Sequence, residues 1–256
     1  MVQLMAGNRL EPGRSTASRL LSVLDVFSIK AEELSLVEIA DRAAMPVATT
    51  YRLLGELTKW GALERLPNRR YRVGLRLWEV GSLAPRQRDL REVSRPFMQD
   101  LYEATHENVQ VGVPEGNEVL IVEMVSGRSA VPTVTRVGGR LPLHATAVGK
   151  VTLAFSDPDL LARTLQQGLP KLAPRTLTMP RMLIQAVEQA RQNHFAFAVE
   201  EMTRGASSVA SPVLARDGTL IAAIALVVRA SADLGRLAPA VRTSALALSR
   251  ELQRTR

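Results

Sequence analysis

A chain of 256 residues, 46% of them apolar, is long enough for two ordinary domains with buried cores. It has no cysteine, which excludes a disulfide framework, a thiolate metal site and a cysteine nucleophile. The net charge of +8 is concentrated: between Arg42 and Arg76, eight cations (Arg42, Arg52, Lys59, Arg65, Arg69, Arg70, Arg72 and Arg76) stand against Glu56 and Glu64, a net +6.

Residues 1–16 lack the continuous apolar core of a signal peptide and read as a disordered N-terminal tail. The longest apolar run, 220–228, falls far short of the roughly 20 residues that span a bilayer. A cytoplasmic protein with no membrane partner is expected. Residues 17–28 place Leu20, Leu21, Leu24 and Phe27 at helical spacing. Ser35 then stands where a side-chain oxygen caps a helix, Glu38 occupies the capping-box position, and Leu36, Ile39, Ala40 and Ala43 supply a buried face. Met45-Pro46 breaks this second helix, because the residue before proline avoids the α region. A third helix follows over 47–60, with Leu53, Leu54 and Leu57 on one side.

Two helices joined by a short break make a helix-turn-helix. Gly61 suits the end of the third helix, and short alternating strands at 62–66 and 71–74, around Pro67-Asn68-Arg69-Arg70, make a hairpin. The sum is a winged helix-turn-helix domain over 17–74. The first turn of its third helix carries small and hydroxyl side chains, as a helix end must where it fits against base edges and phosphates in a major groove.

Residues 75–88 read as a linker helix punctuated by Pro85, and 89–107 as a long amphipathic helix. Strands are expected at 108–113, 118–125, 130–137, 195–199, 207–214 and 220–228, with Asp217-Gly218 as a hairpin turn. Helices are expected at 144–155, 180–193 and 233–253. The region 89–256 is therefore an α+β domain with a largely antiparallel sheet.

The chain resembles one family, the IclR-type bacterial transcription regulators. The resemblance rests on Leu36-Val-Glu-Ile-Ala40, on 46–54 with Thr49 and Arg52 in place, on Tyr71-Arg-Val-Gly-Leu75, on Leu141-Pro-Leu-His-Ala-Thr-Ala-Val-Gly-Lys150, and on Ser208-Val-Ala-Ser-Pro-Val213 followed by Asp217-Gly218. It implies an α+β chain: an N-terminal winged helix-turn-helix, a linker, and a GAF-like domain that binds a small effector. It further implies a homodimer or homotetramer that binds double-stranded operator DNA, controls a catabolic operon, with repression the expected sense, and uses no cofactor. A small-molecule-binding protein or enzyme whose winged helix serves protein contacts is the alternative.

Thr49 and Thr50 are candidate phosphate or base-edge contacts, and Arg52 a candidate for the backbone or a guanine edge. Ser35, Val47, Ala48 and Tyr51 join them as expected DNA contacts. Asn68, Arg69 and Arg70, at the wing, suit the minor groove or phosphates, although a generic charged turn has the same composition. His144-Ala-Thr-Ala-Val-Gly-Lys150 is not a nucleotide loop, since His144 stands where the first glycine belongs and Val151 where Ser or Thr belongs. By resemblance, amides at Ala145, Thr146 and Ala147 receive an organic acid's carboxylate, with Glu201, Ser208, Ala225 and Val227 completing the effector set. Ser208 replaces a common cysteine of the family, and Ala225 and Val227 replace frequent serines, which makes for a more apolar pocket. The three histidines (106, 144 and 194) form no pair at ligand spacing, and no Gly-x-Ser-x-Gly occurs, so neither a metal site nor catalysis is expected.

Overall fold

The structure, a computed structural model, describes residues 15–28, 31–127, 131–132 and 135–254. The first fourteen residues of the expected tail lie outside that range, as does part of the strand expected at 130–137. The chain divides into two compact units, Met1–Pro85 and Arg86–Arg256.

The first unit contains α1 (Thr16–Asp25), α2 (Leu36–Arg42), α3 (Val47–Trp60), the hairpin β1 (Leu63–Arg65) and β2 (Tyr71–Val73), and α4 (Leu75–Ser82). Ser35 and Glu38 form the capping box of α2, and Gly61 closes α3 with φ +86°, a conformation that suits glycine. Val23, Leu34, Ile39, Leu54, Leu57, Leu63 and Tyr71 meet in one core. α4 buries none of its residues and leaves Leu75, Trp78, Val80 and Leu83 exposed.

The second unit follows with α5 (Pro85–Thr105), β3 (Asn108–Glu115), β4 (Glu118–Val125), β5 (Arg140–Pro142), α6 (Ala147–Phe155), α7 (Pro158–Gln166), α8 (Pro180–Asn193), β6 (Ala196–Val199), β7 (Ala206–Leu214), β8 (Leu220–Arg229) and α9 (Leu234–Arg254). Its strands form an antiparallel sheet in the order β5-β4-β3-β8-β7-β6. Alternation divides β8 between two cores. Ile224, Leu226 and Val228 pack with Leu101 of α5 and Val241 and Leu248 of α9, whereas Ala223 and Ala225 pack with Val148 of α6 and Leu183 of α8. α5 is held to the sheet by Arg91 and Arg95, each 3.2 Å from the buried carboxylate of Glu123.

Three expectations change. The helix expected from 144 begins at Ala147, because Thr146 is extended and caps it through Gly149 N–H at 3.1 Å. None of the described residues in 130–137 is in a strand, and the short β5 pairs with β4 beyond them. α7 was not expected from periodicity, although Asp157 and Pro158 supply its cap and first turn.

Candidate DNA interface and effector pocket

α3 starts on Pro46, which offers no side-chain cap, so no side chain occupies the amides of its first turn. Leu53, Leu54 and Leu57 face the core, which leaves Val47, Ala48, Tyr51, Arg52, Glu56 and Lys59 exposed on the other side and Thr49 half-buried. Thr50 is a correction to the expected contact set. It is fully buried, and its hydroxyl donates to Pro46 O at 3.1 Å, one turn back in the chain, so it faces the core. Ser35, at the start of α2, accepts from Glu38 N–H at 3.3 Å.

The wing is set by its own hydrogen bonds: Arg69 N–H donates to Leu66 O, and Arg70 N–H to Asn68 Oδ1. Asn68 thus shapes the turn, and Arg69, exposed at φ +62°, is its outward cation. Arg70 is the second correction. Its guanidinium donates to Glu33 O and pairs with Glu38 Oε2, both at 2.8 Å, which ties the wing to the cap of α2 instead of presenting a free charge. Arg72 pairs with Glu64, and Arg76 pairs with Glu79 while lying 5.6 Å over the Trp60 ring. Arg42, Arg52, Lys59, Arg65 and Arg69 remain as exposed cations with no ion pair among the described residues, Arg65 lying 6.0 Å over the Tyr71 ring.

In the second unit, Ala198, Ser208 and Val227 stand opposite one another on β6, β7 and β8, one row across three strands. This row lines a pocket of about 470 Å³ of empty space, counting the part open to solvent. Ala145 and Thr146, just before α6, form one wall, and Glu201, Met202 and Thr203, after β6, form another. Of the expected effector contacts, Ala145, Thr146, Glu201, Ser208 and Val227 come together here. Ala147 and Ala225 do not: both are fully buried in the core between α6 and the sheet, one row away. The missing serine at 225 therefore leaves the pocket wall unchanged.

Gln110 of β3 lines the same pocket and was missed, although a signal existed. Polar residues at 108 and 110 alternate with valines in a strand of a sheet that helices cover on both faces, so each needs a buried partner. Asn108 has one, donating to Val131 O at 2.7 Å, whereas Gln110 Oε1 has none among the described residues.

Glu201 is anchored from below. Lys150 Nζ, on the second turn of α6, donates to Glu201 Oε1 at 2.6 Å and to Phe197 O at 2.9 Å. Burial pushes the lysine pKa down, and the Glu201 charge opposes that shift. Gly149 makes this placement possible: a Cβ there would lie 2.4 Å from the Leu143 carbonyl oxygen and 2.5 Å from its Cα, so only glycine lets α6 seat so closely.

Comparison with known proteins agrees with both halves. The model described as bacterial transcriptional regulator IclR C-terminal matches residues 83–250, and the IclR helix-turn-helix domain matches 15–67. The chain is 31% identical over 243 residues to the HTH-type transcriptional regulator XynR of Escherichia coli K12, covering 93% of this chain and 96% of that one. It is 29% identical over 218 residues to the HTH-type transcriptional repressor AllR of the same organism, covering 84% and 80%. Among solved structures, an IclR homologue from Microbacterium hydrocarbonoxydans complexed with 4-hydroxybenzoate superposes with a TM-score of 0.87 at 31% identity, covering 94% of this chain and all of that one. With family models matching both units, this chain belongs to the IclR family of DNA-binding bacterial transcriptional regulators.

Proposed function

We propose that the chain is a repressor of a catabolic operon, working in the cytoplasm, and that a small organic acid in the second unit's pocket controls its hold on operator DNA. One observation carries this reading: on a sheet face otherwise closed by packed helices, a cavity remains in which the buried Gln110 Oε1 and Glu201 Oε2 lack a hydrogen-bond partner among the described residues. The start of α6 offers amide hydrogens to a carboxylate, and Leu141, Ala198 and Val227 offer an apolar surface to its body. A relative of the same fold is complexed with an aromatic acid, and another is a named repressor, which supports both parts.

The first unit reads DNA through α3, with Val47, Ala48, Thr49, Tyr51 and Arg52 toward the groove and Arg69 at the wing. One such helix reads only a few base pairs, so specificity calls for a symmetric pair of half-sites about one helical turn, or a multiple of it, apart. A second copy of the chain covers the apolar face of α4, making a dimer the minimal unit.

A gel shift with DNA from upstream of the gene and its neighbours, over a series of salt concentrations, tests the reading. A salt-sensitive complex that 4-hydroxybenzoate or another small acid releases is the expected result. The absence of any such complex at every upstream site would end it.

A further inference from the structure

Three lining residues carry a buried polar atom with no hydrogen-bond partner among the described residues, Gln110 Oε1, Glu201 Oε2 and Ser207 Oγ, and alternation turns the Ser207 side chain, opposite Val228, to the other face of the sheet. Gln110 Oε1 and Glu201 Oε2 belong to lining residues that are 3% and 7% exposed, and neither has a hydrogen-bond partner among the described residues. Both are acceptors. Rotating the Gln110 amide presents a nitrogen instead, but a carboxylate allows no such exchange. Lys150 Nζ donates to the other oxygen of Glu201, Oε1, and Val199 N–H also donates to Oε1. The pocket therefore faces one free carboxylate oxygen.

Glu201 is also the sole charged residue on the pocket wall among the described residues, so none of the described lysines or arginines lines it to meet a ligand's acid group. A carboxylate beside Glu201 Oε2 meets like charge at short range. The ligand thus needs opposite polarity at its two ends: an acid, if it has one, toward the amides at Ala145 and Thr146, and a donor toward Glu201.

We propose that the effector carries a hydrogen-bond donor, a hydroxyl, amine or heterocyclic N–H, that docks on Glu201 Oε2 with Gln110 Oε1 as its second acceptor, and that this donor is what the pocket selects for. The proposal rests on the effector reading above and narrows it to a chemical class. A pocket built to satisfy a donor rejects the analogue that lacks it, because its own buried acceptors then stay unpaired.

The test is calorimetric titration and thermal unfolding of the full-length chain with matched probes. 4-Hydroxybenzoate and 4-aminobenzoate are compared with 4-methylbenzoate and 4-methoxybenzoate, glycolate with propionate, and 4-hydroxybenzamide serves as a neutral donor. In at least one matched set the donor-bearing member binds tighter than its donor-free partner, by about tenfold or more. Glu201→Gln lowers that preference; because it also unpairs Lys150, Gln110→Met is the second variant. Gln110→Met raises the unfolding temperature of the ligand-free protein, by removing an unpaired buried group, and narrows the gap between matched probes. Equal binding within every matched set overturns the donor proposal and leaves the acid effector standing. Binding of the neutral amide as tightly as the acids keeps the donor and removes the acid. No binding by any probe removes both.

Discussion

Lys150 and Glu201 meet at 2.6 Å although 51 positions separate them, and only 3% and 8% of their side chains are exposed. The pair joins the second turn of α6 to the loop after β6, so the wall of the pocket is fixed by a bond that water cannot screen. Removing one member leaves the other as a buried, uncompensated charge. Lys150→Met is expected to cost about 3–5 kcal/mol in urea denaturation, and adding Glu201→Leu recovers most of it. A single-variant cost below about 1 kcal/mol would show that solvent reaches the pair.

The cations of the first unit separate into exposed and bracing groups. Arg52→Ala is expected to weaken operator binding by about 1–3 kcal/mol, since Arg52 is exposed on the outer face of α3 with no ion pair among the described residues. Arg69→Ala should lower the slope of log affinity against log salt by about 1, measured by fluorescence anisotropy. Arg70→Ala should leave that slope nearly unchanged while lowering the unfolding temperature of the wing, because its partners are Glu38 and Glu33 O. Equal slopes for the Arg69 and Arg70 variants would mean that the Arg70–Glu38 pair opens on DNA.

The capping box makes α2 sensitive to acid. The Ser35 backbone N–H, then the Ser35 hydroxyl, hold the Glu38 pKa at about 2 against an ordinary 4.5, with Arg70 adding to the effect and desolvation opposing it. The folded-state pKa is depressed, so this stabilisation is fully present above about pH 4.5 and is lost as pH falls toward 2. Carboxyl chemical shifts should report the low titration directly. Glu38→Gln should remove the acid dependence of α2 in that window, and an unchanged acid limb in this variant would refute the assignment.

Much of the winged unit was legible because its signals are local. Ser35 and Glu38 stand three residues apart, Pro46 breaks the chain, and the leucines of α3 repeat at helical spacing. Thr50 was misread for a related reason: composition marks a hydroxyl as polar, but bonding to the carbonyl four residues earlier lets threonine turn inward. Arg70 and Lys150 were beyond reach, since their partners are distant in sequence and no periodicity encodes such pairings. In the pocket, the row through Ala198, Ser208 and Val227 depends on the register of three strands, and that register places Val227 on the wall and Ala225 in the core. Gln110 lay between these cases, visible as a polar residue in an apolar strand yet unassigned without knowing which helices cover it.

The close seat of α6 on Leu143 bears on the history of the protein as well as on its pocket. From Leu141 to Lys150 nearly every position is committed to a different neighbour: Leu141 and Leu143 to the core, His144 to Pro170 O, Thr146 to Pro142 O and Gly149 N–H, Gly149 to the backbone it nearly touches, and Lys150 to Glu201. No single replacement satisfies the same neighbour, and compensating changes would have to arise in several distant segments at once. Such a stretch resists single replacements, so the kinship readable in these ten residues and the pocket wall at Leu141, Ala145 and Thr146 rest on the same packing.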